Sequence, residues 1–233
     1  MNKTLGSYLI ELLEAHGVQH VFGIPGVHNL ELYRGLASSR IRHVTGRHEQ
    51  GLGFMADGYA RVARRTGVCF TITGPGLSNI ATALGQAYAD SVPLLVISSE
   101  NRTGEIGTGR GFLHEMPDQL GLASRLSALS RRLTRPEELP ELLDAAFARM
   151  QGGRPRPTYL EIPRDLMTAE AGALPAPVTL APHNAKRRAG ATVGWWKRAA
   201  AHRTERLNHS SNRVGPSRGF APGAIPRLPI TAP

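Results

Sequence analysis

The 233-residue sequence predicts an α/β fold of three layers, a parallel sheet with helices on both faces, followed by a disordered basic tail. Three observations carry this expectation. Strand-length apolar runs alternate with helix-length amphipathic ones from residue 4 to residue 162, the order that builds a parallel sheet through crossover connections. Residues 68–73 and 93–98 are apolar almost throughout, as strands covered on both faces are. From Glu170 onward this periodicity dissolves into Ala, Pro and Gly.

Taken in order, residues 4–16 place Leu5, Leu9, Leu12 and Leu13 on one helical face and stop at Gly17, a C-terminal helix signal. Glu11 and Glu14 lie inside that pattern, so the start reads as an amphipathic helix and not a signal peptide. A strand at 18–24 leads into Pro25-Gly26-Val27-His28-Asn29, which opens a helix with Leu30, Leu32, Tyr33 and Leu36 on its apolar side. A strand at 41–45 runs through Arg47-His48 into a helix beginning at Glu49. There Leu52, Ala56, Tyr59 and Ala63 form the expected buried stripe, and Asp57 can pair with Arg61 one turn on.

The strand at 68–73 ends at Gly74-Pro75-Gly76-Leu77-Ser78-Asn79, and the segment from there to Ala89 carries no charge. A helix without a polar face is expected to be buried all round, in the core or in a subunit interface. After the strand at 93–98, residues 101–121 are glycine-rich and aperiodic, which predicts a long loop of the functional kind. A strand at 126–133, a proline-initiated helix at 136–150 and a strand at 158–162 complete the alternation. The predicted organisation is a domain over 1–168, a linker over 169–185 and a tail over 186–233.

Composition narrows the function classes. The net charge is +10, but residues 186–233 hold ten of the 28 Lys and Arg against one of the 18 acids, so the predicted domain is nearly neutral. Trp195-Trp196 beside Lys197-Arg198 suggests nucleic-acid binding by the tail, a reading set aside because the tail contains no recognisable module. The jump in Arg, Pro and Ala after Asn184 is what an out-of-frame reading of a G+C-rich gene produces. Cys69 is the only cysteine, which excludes an intrachain disulfide and suits a reducing cytoplasm. No apolar run approaches the roughly 18 residues of a membrane span. No His, Cys or carboxylate cluster has metal-ligand spacing, and there is no Walker lysine loop. Gly51-Leu52-Gly53-Phe54-Met55-Ala56 fits a loose dinucleotide pattern, but its glycines fall inside the helix and no acid closes the next strand.

Two candidate sites come from the residues themselves. Glu49 sits where a strand becomes a helix, in the crevice beyond the strand ends where α/β proteins bind ligands. The alternative is a carboxylate that complements the positive end of the helix dipole. His114-Glu115, in the glycine-rich loop, is either a polar pair serving a substrate or part of a solvated loop.

Several motifs taken together are more specific. Ile24-Pro25-Gly26, then Arg47-His48-Glu49 running into Ala56-Asp57-Gly58-Tyr59-Ala60-Arg61, then Thr73-Gly74-Pro75-Gly76 leading to Asn79, resemble the N-terminal pyrimidine-binding domain of thiamine-diphosphate enzymes. The branch is that of acetolactate synthase, benzoylformate decarboxylase and pyruvate oxidase. Asp90-Ser91-Val92-Pro93 and Tyr159-Leu160-Glu161-Ile162-Pro163-Arg164-Asp165 fit the same pattern, and the resemblance spans residues 1–168.

The resemblance implies that Glu49 is catalytic, hydrogen-bonding the aminopyrimidine ring nitrogen so that the imino tautomer can remove the thiazolium C2 proton. It implies cofactor contacts from Pro25, Gly26, Glu49, Thr73, Gly74, Pro75, Gly76 and Asn79, with Gly74 and Gly76 letting the backbone approach the flat ring. Val27, His28, His114 and Glu115 are the implied substrate residues. Val27 departs from the Asp or Ser of some decarboxylases, so their proton relay does not carry over to this position.

The Gly-Asp-Gly motif that holds magnesium and diphosphate in the family occurs nowhere in the sequence. By this resemblance the chain supplies the pyrimidine half of a site completed by a missing C-terminal domain across a homodimer or homotetramer, is cytoplasmic, and is inactive alone. Residues 24–36 and 107–117 look most like 5-guanidino-2-oxopentanoate decarboxylases, with Glu115 or Asp118 facing the guanidinium. The alternatives are an acetolactate synthase-like carboligase, which would bring FAD, and, from another class, a non-catalytic remnant or a nucleic-acid binder acting through its basic tail.

Overall fold

The structure is a computed structural model that describes residues 3–177. The expected tail and the far part of the expected linker lie outside the described residues. Among the described residues seven α-helices and six strands alternate: α1 (Leu5–Ala15), β1 (His20–Gly23), α2 (Leu30–Leu36), β2 (Arg42–Thr45), α3 (Glu49–Ala63), β3 (Gly67–Thr71), α4 (Pro75–Asp90), β4 (Leu94–Glu100), α5 (Gln119–Ser124), β5 (Leu129–Arg132), α6 (Leu139–Gln151), β6 (Thr158–Pro163) and α7 (Arg164–Met167). A 3-10 turn at Pro136–Glu138 precedes α6.

All pairings between these strands are parallel, and the strand order is β2-β1-β3-β4-β6-β5. One hydrophobic core gathers α1, α2, α6 and α7 on the sheet face that carries Val21, Phe70, Leu95 and Ile97. The other gathers α3, α4 and α5 on the face of Phe22, Cys69, Val96 and Tyr159. The period-two alternation of strand side chains puts neighbouring residues in opposite cores. Helices α3, α4 and α5 make the connections that step one way across the sheet, and α2 and α6 make those that step back. A single crossover hand requires the two groups to lie on opposite faces, as they do.

Local chemistry sets the element ends. Thr4 Oγ1 accepts from the Ser7 amide at 3.3 Å, capping α1, and Gly17 takes φ +76 just past its end. The expected Asp57–Arg61 pair forms at 2.5 Å, and Arg61 also reaches Asp90 at 2.8 Å, tying α3 to α4.

The burial of α3 and α4 differs from the sequence expectation. The buried stripe of α3 is Leu52, Gly53, Ala56, Asp57 and Ala60, while Ala63 is exposed, so the buried face is rotated from the one expected. Gly53 is there for packing: a Cβ would strike Ala83 and Ile80 of α4 at 2.5 and 2.9 Å. This explains the glycine that mimicked a dinucleotide motif. Helix α4, uncharged up to its last residue Asp90, buries Leu77, Ile80, Ala83, Leu84 and Ala87 but exposes Ser78, Thr82, Gln86 and Tyr88, so within this chain it is not buried all round.

Residues 169–175 lie against α1. The Ala169 carbonyl accepts from Leu5 at 2.9 Å, the Ala171 amide donates to Lys3 at 2.8 Å, and Pro175 accepts from the Tyr8 hydroxyl at 2.8 Å.

Candidate active site at the β1–β3 crevice

The chain leaves β1 towards β2 and leaves β3 towards β4, so a crevice opens beyond the carboxyl ends of β1 and β3. Its loops are residues 24–29, 46–49 and 72–79. His48 is extended (φ −158°, ψ 138°), and its Nδ1 accepts from the Gln50 amide at 3.2 Å, so the side chain caps α3 and makes Glu49 the first helical residue. Glu49 is only 9% exposed. Its Oε2 accepts from Asn79 Nδ2 of α4 at 2.9 Å, and its Oε1 has no hydrogen bond among the described residues. A buried carboxyl with one oxygen fixed and the other unclaimed is oriented to hold or share a proton with an incoming ring nitrogen.

Asn29 folds the first loop on itself, with Oδ1 accepting from the Gly26 amide at 2.8 Å and Nδ2 donating to the Ile24 carbonyl at 3.2 Å. Next to it His28, 3% exposed, places Nδ1 2.9 Å from Thr73 Oγ1. Its ring meets that of His114 edge-on at 5.6 Å. Burial lowers the His28 pKa below the ordinary histidine value, and the charges of Arg164 and His114 push the same way against Glu105. These surroundings favour the neutral imidazole of His28. Val27 is exposed.

The glycines have reasons internal to the fold. Gly74 has φ +63, and a Cβ there would fall on the carbonyl oxygen of His114. Gly26 and Gly76 leave no room for a Cβ against Ile72, at 2.7 and 2.9 Å. Gly74 thus lets the loop at 101–118 lie on the start of α4, which brings His114 beside His28.

Of the two acids expected to face a guanidinium, Glu115 is engaged through both oxygens and Asp118 through Oδ1 alone. Glu115 Oε1 accepts from the Gly109 amide at 2.6 Å and Thr108 Oγ1 at 3.2 Å, and Oε2 accepts from the Gly111 and Phe112 amides at 2.7 and 3.1 Å. Its pKa is lowered because these bonds outweigh a desolvation that acts the other way. Asp118 caps α5 by accepting from Gly121 at 2.8 Å. In this structure Glu115 organises its own loop and Asp118 caps α5.

Sequence reading missed a buried polar cluster next to the crevice. Gln119 Oε1 accepts from the Gly74 amide at 2.6 Å, while its Nε2 donates to the Ser99 carbonyl at 3.0 Å and reaches Glu161 Oε2 at 3.4 Å. Glu161, fully buried on β6, also takes the Tyr159 hydroxyl at 3.0 Å and an ion pair from Arg132 Nε. Glu100 ends β4 with Oε1 on the Asn101 amide at 2.8 Å and Oε2 buried without a partner among the described residues. Burial raises its pKa to about 7, opposed by the Asn101 hydrogen bond and reinforced by Glu161. The signal was present in the sequence: a single charge within each of two otherwise uncharged strand segments.

Residues 3–122 match the family described as thiamine pyrophosphate enzyme, N-terminal TPP binding domain. The chain is similar to a probable 2-ketoarginine decarboxylase of Pseudomonas aeruginosa, 58% identical over 166 residues that are 71% of this chain and 30% of that protein. It is also similar to an acetolactate synthase of Arthrospira platensis, 39% identical over 171 residues covering 72% and 29% of the two chains. The large subunit of Escherichia coli acetolactate synthase isozyme 1 is 37% identical over 167 residues, covering 71% and 29%. The chain thus spans about 30% of the length of these curated relatives.

Proposed function

Because the chain belongs to the thiamine pyrophosphate enzymes through their N-terminal TPP-binding domain, we propose that it supplies the pyrimidine half of a 2-oxo acid decarboxylase site whose substrate is 5-guanidino-2-oxopentanoate. The observation that carries this reading is Glu49 buried at the start of α3, with Asn79 holding Oε2 and no hydrogen bond to Oε1 among the described residues. Thiamine diphosphate, when bound, supplies a carbon that takes up the electrons left as a 2-oxo acid loses carbon dioxide.

This chain's own residues do the rest of what can be derived. Glu49 Oε1 would hold a hydrogen bond to the pyrimidine ring nitrogen and share a proton with it, and Asn79 keeps the carboxyl from turning away. Pro25, Gly26, Thr73, Gly74, Pro75 and Gly76 form the walls of the ring site. Val27 and the neutral imidazole of His28 line the substrate side with His114, which Gly74 allows to sit close. Glu115 acts one step back, by fixing the loop that carries His114.

Magnesium and the diphosphate belong to a domain outside this chain. In support, the sequence has no Gly-Asp-Gly. The exposed Phe54 and Met55 of α3, beside the uncharged outer face of α4, support a homodimer formed across these helices. The buried thiol of Cys69 suits a cytoplasmic setting. No helix among the described residues is long and apolar enough to cross a membrane. The second reading, an acetolactate synthase-like carboligase carrying FAD, has the support of the acetolactate synthases among the relatives.

The test is the rate of C2 hydrogen–deuterium exchange in cofactor bound to the protein completed with its diphosphate-binding domain. Glu49→Gln keeps the side-chain size and removes the carboxyl, so exchange should slow by about 10²- to 10⁴-fold at equal saturation. Equal rates would reduce Glu49 to a helix-start acid. Turnover of 5-guanidino-2-oxopentanoate against pyruvate in the same protein separates decarboxylase from carboligase.

A further inference from the structure

Gln119, the first residue of α5, is 1% exposed and takes no part in the chemistry at Glu49. Its side-chain amide is nevertheless bonded at both ends. Oε1 accepts from the Gly74 amide at 2.6 Å, and Nε2 donates to the Ser99 carbonyl at 3.0 Å and lies 3.4 Å from Glu161 Oε2. These partners allow one orientation. A backbone carbonyl only accepts and a backbone amide only donates, so the NH2 has to face Ser99 and the oxygen has to face Gly74. Glu161 reinforces the choice, with Arg132 on its Oε1 and the Tyr159 hydroxyl on its Oε2 at 3.0 Å.

The amide that Gln119 holds belongs to the residue where the chain turns from the sheet into α4. Gly74 is the N-cap of α4, with φ +63 and ψ −102, and its carbonyl accepts from the Ser78 amide at 3.0 Å. Gln119 therefore fixes the one backbone group of Gly74 that the helix leaves over. Three features depend on where this residue lies. Gly74, Pro75 and Gly76 are the start of the helix and a wall of the ring site. One turn further along α4, Asn79 holds Glu49 Oε2 at 2.9 Å. The carbonyl of His114 rests on Gly74, where a Cβ would meet it at 2.3 Å. The loop at 101–118 is thus anchored near its beginning by the Thr103 amide on Asp165, at 3.1 Å, and just past its end by Gln119 on Gly74.

We infer that Gln119 is a positioning residue for the aminopyrimidine site: by gripping the Gly74 amide it sets the start of α4, and through α4 the ring wall and the carboxyl of Glu49. This role rests on the proposed function for the identity of the ligand, while the grip itself does not. The demand on the side chain is specific. It has to carry an acceptor for Gly74 and a donor for Ser99 at this length, so an apolar residue of the same size fills the space and fails at both ends.

Gln119→Met tests this in two settings. In the full 233-residue chain, nuclear magnetic resonance should show the Gly74 amide exchanging with deuterated water at least about tenfold faster, and the Asn79 side-chain amide resonances should move. In the protein completed with its diphosphate-binding domain, C2 hydrogen–deuterium exchange in bound cofactor should slow by about 10- to 10²-fold at equal saturation. A residue that only stabilises the fold would lower the melting temperature and leave the exchange rate of bound cofactor as it was.

Gln119→Glu is the second variant, and it decides the matter if the first does not fold. Protonated, its carboxyl offers a carbonyl and an O–H in the places of the amide; ionised, it offers only acceptors to the Ser99 carbonyl and Glu161. The titratable groups around it are Glu161 and Tyr159 of β6, Arg132 of β5 on Glu161, Glu100 at the end of β4 and Asp118 next in the chain. Its C2 exchange rate, divided by that of the unmodified protein at the same pH, should rise towards one as pH falls from about 8 to about 5. A folded Gln119→Met with unmoved Asn79 resonances or an unchanged exchange rate, or a ratio for Gln119→Glu that stays flat with pH, would overturn the inference. Slowing by Glu49→Gln without slowing by Gln119→Met overturns it alone; slowing by neither overturns the proposed function with it.

Discussion

Between β1 and β3 the sheet opens onto glycines, His28 and Glu49, and several polar atoms there have no partner; between β4 and β6 it closes over Glu161, Arg132, Tyr159 and Gln119, which bond to one another. Both are places where the strand order doubles back, so topology alone offered either as a ligand site. What separates them is who satisfies the polar groups. A crevice that satisfies itself is rigid support, and one that leaves polar atoms over is equipped to bind. Gln119 joins the two, since the side chain that faces Glu161 also accepts from the amide of Gly74. Glu100 is the exception on the closed side, with one oxygen buried and unpaired.

The largest effect should come from opening the closed side. Arg132→Met removes the cation from a carboxylate that is 0% exposed, and the loss should be about 3–5 kcal/mol in urea unfolding. A loss below about 1 kcal/mol would mean that Glu161 is satisfied without its partner and the contrast is weaker than drawn.

The exception comes next. A carboxyl whose folded pKa is raised to about 7 contributes stability that is fully present below its unfolded value, about 4.3, and is lost as pH rises through 7. Glu100→Gln removes that loss, so its stability advantage over the unmodified protein should grow by about 3 kcal/mol between pH 4 and pH 8. His16 and His28, whose pKa values are lowered by burial, lose stability in the opposite direction as pH falls below about 6.5, but they do so in both proteins. A difference between the two stability curves that stays flat with pH would show that Glu100 is solvated.

The smallest effect tests the link between the two regions. Gly74→Ala should cost about 1–3 kcal/mol for a side chain at positive φ and should push His114 away from His28. The nuclear Overhauser contact between the two imidazoles is the measurement. Its survival in the variant would show that the loop does not depend on this glycine.

The open side was largely legible in the sequence and the closed side was not, for a physical reason. Ligand crevices are made by backbone, so Pro25-Gly26, Gly74-Pro75-Gly76 and the strand-to-helix step at Glu49 are written as local motifs. The closed cluster is assembled from β4, β5, β6 and α5, and no spacing along the chain brings Glu161, Arg132 and Gln119 together. The same distinction holds for the elements. The alternation of strands and helices was readable, but α5 and α7, of six and four residues, are too short to show a helical period. The four donors that Glu115 binds within its own loop have no local signature, since a carboxylate that orders a loop and one that faces a substrate look alike in sequence.

The contact of residues 169–175 with α1 affects the order in which the domain can be finished. The first amide of α1, at Leu5, finds its acceptor in the carbonyl of Ala169, and the Lys3 carbonyl just before it takes the amide of Ala171. On the ribosome the first helix emerges more than 150 residues before the segment that completes its start, at a synthesis rate of about 5–20 residues per second. Until then the start of that helix lacks its native acceptor and has only water to turn to. The first helix made is thus among the last to be completed, and the nascent domain stays open at this corner until nearly all of it has been synthesised.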